Sequence, residues 1–85
     1  MTKPVRLSGH SRENMRYRGA MEQEVVDAIR TAQWGPAGQG RLECQKDLEF
    51  RGEWNGRFYA TKRVRPIFVE ETDEIVVVTV YVYYF

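Results

Sequence analysis

Cysteine and histidine are almost missing from this 85-residue chain. Cys44 stands alone, which excludes a disulfide framework, and His10 is the sole imidazole, which excludes an acid–base pair of two histidines. Together they are too few to hold a structural zinc ion. No apolar run approaches the roughly 20 residues of a membrane-spanning helix. The opening Met-Thr-Lys-Pro-Val-Arg has none of the apolar stretch of a signal peptide. The expected compartment is therefore the reducing cytoplasm, without membrane attachment. A large excess of charge of either sign is missing too, the formal net charge being +1. What remains is enough for a small globular domain. With 42% hydrophobic residues, wholesale disorder is excluded, and the length suits a single domain over residues 1–85 with one core.

The near-neutral total conceals a pattern. Residues 1–18 carry five Lys or Arg against the single acid Glu13, and the segment from Arg57 to Arg65 carries Arg57, Lys62, Arg63 and Arg65 with no acid. Acids collect at Glu22, Glu24 and Asp27 and again at Glu70, Glu71, Asp73 and Glu74. Two basic segments that meet in space make a local positive patch; two that do not are ordinary solvated surfaces.

The periodicity predicts two helices followed by strands. Ser8 suits an N-cap and Gly19 a C′ position, which brackets a first helix from about Gly9 to Tyr17. A second helix, from about Met21 to Gln33, places Val25, Ala28, Ile29 and Ala32 on one face and Glu22 and Glu24 in the first turn, where the macrodipole favours acids. Trp34 to Gly40, with three glycines and a proline, reads as a loop. Leu42, Cys44, Leu48 and Phe50 then alternate with polar residues, with a bend near Gln45–Asp47. Asn55-Gly56 is a hairpin signal. Phe58 to Lys62 and Val64 to Glu70 read as extended chain, with an edge, bulge or break at Pro66, which lacks an N–H. In the last strand, Ile75 to Phe85, strict alternation puts Val76, Val78, Val80 and Val82 on one face and Val77, Thr79, Tyr81 and Tyr83 on the other. The predicted class is α+β: two N-terminal helices on one face of a three- to four-stranded, mostly antiparallel sheet.

The chemistry-bearing residues concentrate in the first helix. His10, Asn14 and Arg18 fall at i, i+4 and i+8 and share one face. A titratable imidazole on the same face as a permanent cation is the minimal equipment for acid–base chemistry on a phosphate, and it is also what a solvated helix face can look like. Cys44, among apolar neighbours, reads as a buried small hydrophobe rather than a nucleophile, and Trp34 and Trp54 as core or lid residues.

The order of motifs resembles a bacterial, archaeal and phage family of small domains of unknown function. Its members open on a helix reading S-x-H-A-x-x-R-M-x-x-R-G-I, continue with an acidic helix and end on a strand reading V-V-V-T-V-Y. Here Ser8, His10, Met15, Arg18 and Gly19 match the first motif, Val25 and Ala28-Ile29 the second helix, and Ile75-Val-Val-Val-Thr79-Val-Tyr81 the last strand. The middle, from Trp34 to Trp54, matches in length and strand character alone. The family is placed in the barnase–EndoU–colicin–RelE superfold, so the resemblance implies a RelE- or barnase-like fold. It also implies a toxin-like, metal-independent endoribonuclease, in which an RNA 2′-hydroxyl attacks the adjacent phosphorus and leaves a cyclic phosphate and a free 5′-hydroxyl. No cofactor is implied.

On that reading the catalytic candidates are His10 as base or acid, Arg18 for charge stabilisation, and Thr79 and Tyr81 to position the ribose or stack a base. Arg16, Lys62, Arg63 and Arg65 are the RNA-binding candidates, with Lys62 on the opposite side of a regular strand from Arg63 and Arg65. Asn14 stands where the family has an arginine, Ser11 and Ala20 replace its Ala and Ile, and Met21 replaces the expected Ser/Thr cap of the second helix. The loss of a cation at Asn14 implies a weakened activity. It leaves open the alternative of a non-catalytic module that binds nucleic acid or protein in a toxin–antitoxin or phage-related system. The partners so implied are RNA, an antitoxin-like protein, or a second copy pairing through the C-terminal strand.

Overall fold

The computed structural model describes residues 3–85. Eight elements follow one another: β1 (Val5–Leu7), α1 (Gly9–Arg18), α2 (Glu22–Thr31), β2 (Gly35–Gly38), β3 (Arg41–Glu43), β4 (Lys46–Trp54), β5 (Arg57–Glu70) and β6 (Ile75–Tyr84). The α+β class and the mostly antiparallel sheet agree with expectation. The sheet has six strands rather than three or four, ordered β1-β6-β5-β3-β2 with β4 also paired to β5. Two strands escaped the sequence reading. β1 has only three residues and pairs parallel with β6, Val5 opposite Ile75. β2 is built from Gly-Pro-Ala-Gly, the stretch read as a loop. It holds an antiparallel register with β3 because Gly38, Gln39 and Gly40 all take positive φ and close a tight turn.

Local chemistry explains the helix ends. The Ser8 hydroxyl accepts the N–H of Ser11 at 3.1 Å, as an N-cap should, and Gly19 ends α1 at φ 81° with its N–H on the Met15 carbonyl. Met21 gives α2 no side-chain cap; Glu24, three residues on, accepts the Met21 N–H at 2.9 Å instead.

Both helices cover the same face of the sheet. Met15, Val25, Ala28 and Ile29 meet Cys44, Val64, Phe68, Ile75, Val77 and Val80 in one core, with Leu7 closing the β1 end. Trp34 packs edge-on against Phe68 at 4.9 Å and donates its N–H to the Ile29 carbonyl, which makes it a core residue.

Two irregularities position everything else. At Pro66, β5 runs on without a break, and so does the register of the chain beside it. β3 pairs with β5 down to Ile67 and β4 resumes in the same register at Val64. Between them the Cys44 N–H still reaches the Pro66 carbonyl at 3.4 Å, but proline has no N–H to return, so one rung of the ladder is half made. On β6 the register shifts between Ile67↔Thr79 and Phe68↔Val77, leaving Val78 as a bulge. The bulge corrects the expected faces. Val77 joins Val80 in the core, whereas Val76 and Val78, assigned to the core face by strict alternation, leave it. Beyond the bulge the alternation resumes, so Thr79, Tyr81 and Tyr83 do share the face away from the helices.

Candidate functional site

The open face of the sheet is ordered in rows. On β5, Arg63 and Arg65 lie opposite Tyr83 and Tyr81 of β6, and Thr61 lies opposite Phe85. On the other side Asp47 of β4 lies opposite Arg63. Paired residues share a face, so the strands present a row of acids, a row of arginines and a row of aromatics. Tyr81, Tyr83 and Phe85 are 39%, 43% and 53% exposed, an unusual cost for adjacent large rings.

The arginines are held from both sides. Arg65 makes a forked pair with Glu43, with one arm at 3.0 Å, and its other nitrogen reaches the Tyr83 hydroxyl at 3.5 Å. Arg63 forks onto Asp47 at 2.6 and 3.1 Å and lies 5.0 Å from the centre of the Phe85 ring. These bonds hold the Asp47 carboxyl below its usual range and raise both guanidiniums further.

The α1 helix lies along the outer edge of β6. The Ser8 N–H and hydroxyl donate to the carbonyls of Val77 and Val78, and Arg18 donates to the Val80 carbonyl at 2.7 Å. The helix thus satisfies an edge that would otherwise offer free acceptors. Its flank also reaches the open face. Thr79 donates its hydroxyl to the Asn14 side-chain carbonyl, and the Arg18 guanidinium sits 5.2 Å from the Tyr81 ring centre. Arg65 approaches the same ring at 5.7 Å. Next to this meeting point is an open cleft of about 260 Å³, lined by Gln39, Arg41, Glu43, Arg65, Thr79 and Tyr81 among others.

Of the eight site residues expected from sequence, the structure brings four together: Arg18, Thr79, Tyr81 and Arg65. Arg63 joins the same face one pair along. His10 does not join them. It is exposed, and among the described residues it makes no hydrogen bond or ion pair, although its place one turn before Asn14 keeps it on the flank bordering the open face. Arg16 is exposed and lies two positions, about 200° round the helix, from Asn14, away from the cleft.

Lys62 is a correction. Rather than serving an RNA surface it is 5% exposed on the helix-covered face, bonded to Glu24 at 2.7 Å and to the Gly19 carbonyl at 2.5 Å. Strand parity put it opposite Arg63 and Arg65; what parity did not reveal was the acid waiting there on α2. Arg41, exposed at the mouth of the cleft, was missed, and its only sequence signal is its place directly after the Gly38-Gln39-Gly40 turn.

Other chemistry is sparse. Burial pushes the Cys44 thiol up to about 11, which suits a packed hydrophobe. Among the described residues no three His, Cys, Asp or Glu side chains gather to hold a metal ion, and no helix is long and apolar enough to cross a membrane. No family model matches the chain, and neither the curated proteins nor the solved structures yield a significant match to it.

Proposed function

We propose that the open sheet face binds single-stranded RNA, and that the domain is an RNA-directed module of the toxin-like kind its two ends resemble. The observation that carries this reading is the meeting of Arg18 and Arg65 at the Tyr81 ring, beside Thr79 and the cleft. Guanidinium planes and exposed phenols are surfaces on which unstacked bases lie, and stacking contributes about 1–3 kcal/mol per base. Tyr81, Tyr83 and Phe85 repeat at a step of about 7 Å along the strand, a distance one extended nucleotide spans. Arg18 has no acid partner among the described residues, which leaves it available for phosphate, whereas Glu43 and Asp47 neutralise their own arginines and repel backbone oxygens nearby. That contrast favours splayed bases over the rings with phosphates at the Arg18 edge.

The test is fluorescence anisotropy of a labelled single-stranded RNA. Tyr81→Ala is expected to weaken binding by about 5- to 150-fold, the equivalent of one lost stacked base. Equal affinity of wild type and variant, or equal affinity for a duplex, overturns the reading.

A second reading, RNA cleavage without a metal, rests on its own observation. Asn14 touches Thr79 and Arg18 touches Tyr81, so the helix flank that begins at His10 runs beside the strand. In that reading His10 moves the proton and Arg18 stabilises the charge developing on the phosphate. End-labelled RNA incubated in the presence of a chelator tests it. Cleavage that drops by about 10²–10⁴ in His10→Ala supports an enzyme, and intact RNA with wild type leaves a binding module.

A further inference from the structure

An aromatic and charged cluster packs against the elbow between the two helices, on the helix side of the sheet. Lys62 lies buried with its ammonium on the Gly19 carbonyl at 2.5 Å and on Glu24 at 2.7 Å, 6.0 Å from the Phe50 ring centre. Tyr84, next to it on β6, donates its hydroxyl to the Arg18 carbonyl at 2.8 Å and stacks on Trp54, with ring centres 5.0 Å apart. A helix end leaves its last carbonyls without intrahelical partners. Here two of them, from Arg18 and Gly19, are claimed by side chains of the sheet. Glu24 meanwhile accepts the Met21 N–H, so the whole elbow between the helices is tied down.

A buried ion pair is weak evidence for stability, because apolar side chains of the same volume often serve as well. What it supplies that they do not is direction. The residue whose carbonyl is held on the core side, Arg18, is the one whose guanidinium crosses the β6 edge to Val80 and Tyr81. A long side chain lands reproducibly only when its backbone origin is fixed. We propose that Lys62, together with Glu24 and Tyr84, is a positioning group that sets the end of α1 so that Arg18 lies on Tyr81 at the open face. The functional half of this proposal rests on the RNA-binding reading; the geometric half does not.

The two halves are tested separately. The Arg18 side-chain N–H resonance reports its place beside the Tyr81 ring, and Tyr81→Leu identifies that contribution. In Lys62→Met the resonance is expected to move toward the position of an exposed arginine such as Arg16 while the amide spectrum stays dispersed. Lys62→Met with Glu24→Gln removes the pair without stranding a carboxylate and serves where the single variant unfolds. An unchanged Arg18 resonance in either folded variant overturns the proposal.

For RNA affinity, Lys62→Met is expected to cost about tenfold when Arg18 is present and nothing further in an Arg18→Ala background, the signature of a residue that acts through Arg18. An equal loss in both backgrounds marks a merely structural role and also overturns it. A wild-type protein that binds no RNA removes the binding reading, and the resonance then decides the positioning by itself.

Discussion

At the residue scale, the positions that carry most are those where two demands meet. Gly19 is one. Its φ of 81° favours glycine, and a Cβ there would stand 2.6 Å from the Tyr84 hydroxyl and 2.7 Å from the Trp54 ring. Gly19→Ala is therefore expected to cost about 2–4 kcal/mol, adding overpacking to a left-handed backbone. In thermal unfolding that corresponds to a fall in Tm of at least 8 °C or so for a domain of this size.

Tyr84 gives a pH dependence. Its burial, and the Glu24 carboxylate nearby, raise its pKa above the usual value of 10. The folded state therefore keeps a proton that the unfolded chain releases first. The stability involved is present below pH 10 and is lost as pH climbs through the folded value. Phenolate absorbance should show one late-ionising tyrosine, absent in Tyr84→Phe. Cys44, raised to about 11, is expected to resist a thiol reagent at pH 8 until the chain unfolds. Ser8, Gly19, Cys44 and the Asn55-Gly56 turn were legible because each signal is local. Lys62 and Arg41 were not, because what they meet lies far away in sequence.

At the scale of elements, legibility follows the same division. The two helices were readable from caps and period, and β5 and β6 from their β-branched and aromatic runs. β1 was not, since three residues carry no periodicity and are made a strand by β6 alone. The most consequential miss is the bulge at Val78. A run of three valines after Ile75 gives no sign of where alternation slips, yet that slip moves Val77 into the core and turns Thr79 toward Asn14. Val77→Asp is expected to unfold the domain, whereas Val76→Thr, on the half-buried side, should change stability by less than about 1 kcal/mol. Denaturant titration separates the two. The strict alternation read from sequence ranks them the other way. α1 is likewise an element whose partner decides its meaning: by itself a polar helix with little apolar surface, it is held by Met15 in the core, by backbone acceptors along the β6 edge at its two ends, and by Tyr84 and Lys62 on its last carbonyls.

For the whole molecule, the net charge of +1 predicts no general affinity for polyanions, and the interest lies in distribution. The open face gathers Arg18, Arg41, Arg63 and Arg65 against Glu43 and Asp47. Binding to single-stranded RNA is therefore expected to use only about two to four phosphates, with log affinity falling against log salt at a slope of about −1.5 to −3. A slope near zero points instead to a contact made by apolar surface or strand pairing.

The half-made rung at Pro66 has a wider consequence. Because β3 and β4 keep one register along β5, they act as a single zipper with one tooth missing where proline has no N–H to give. Opening that starts from the short end, beside the cleft, meets the gap before it reaches the longer run. Amide protons of Arg41–Glu43 should accordingly exchange sooner than those along Lys46–Trp54.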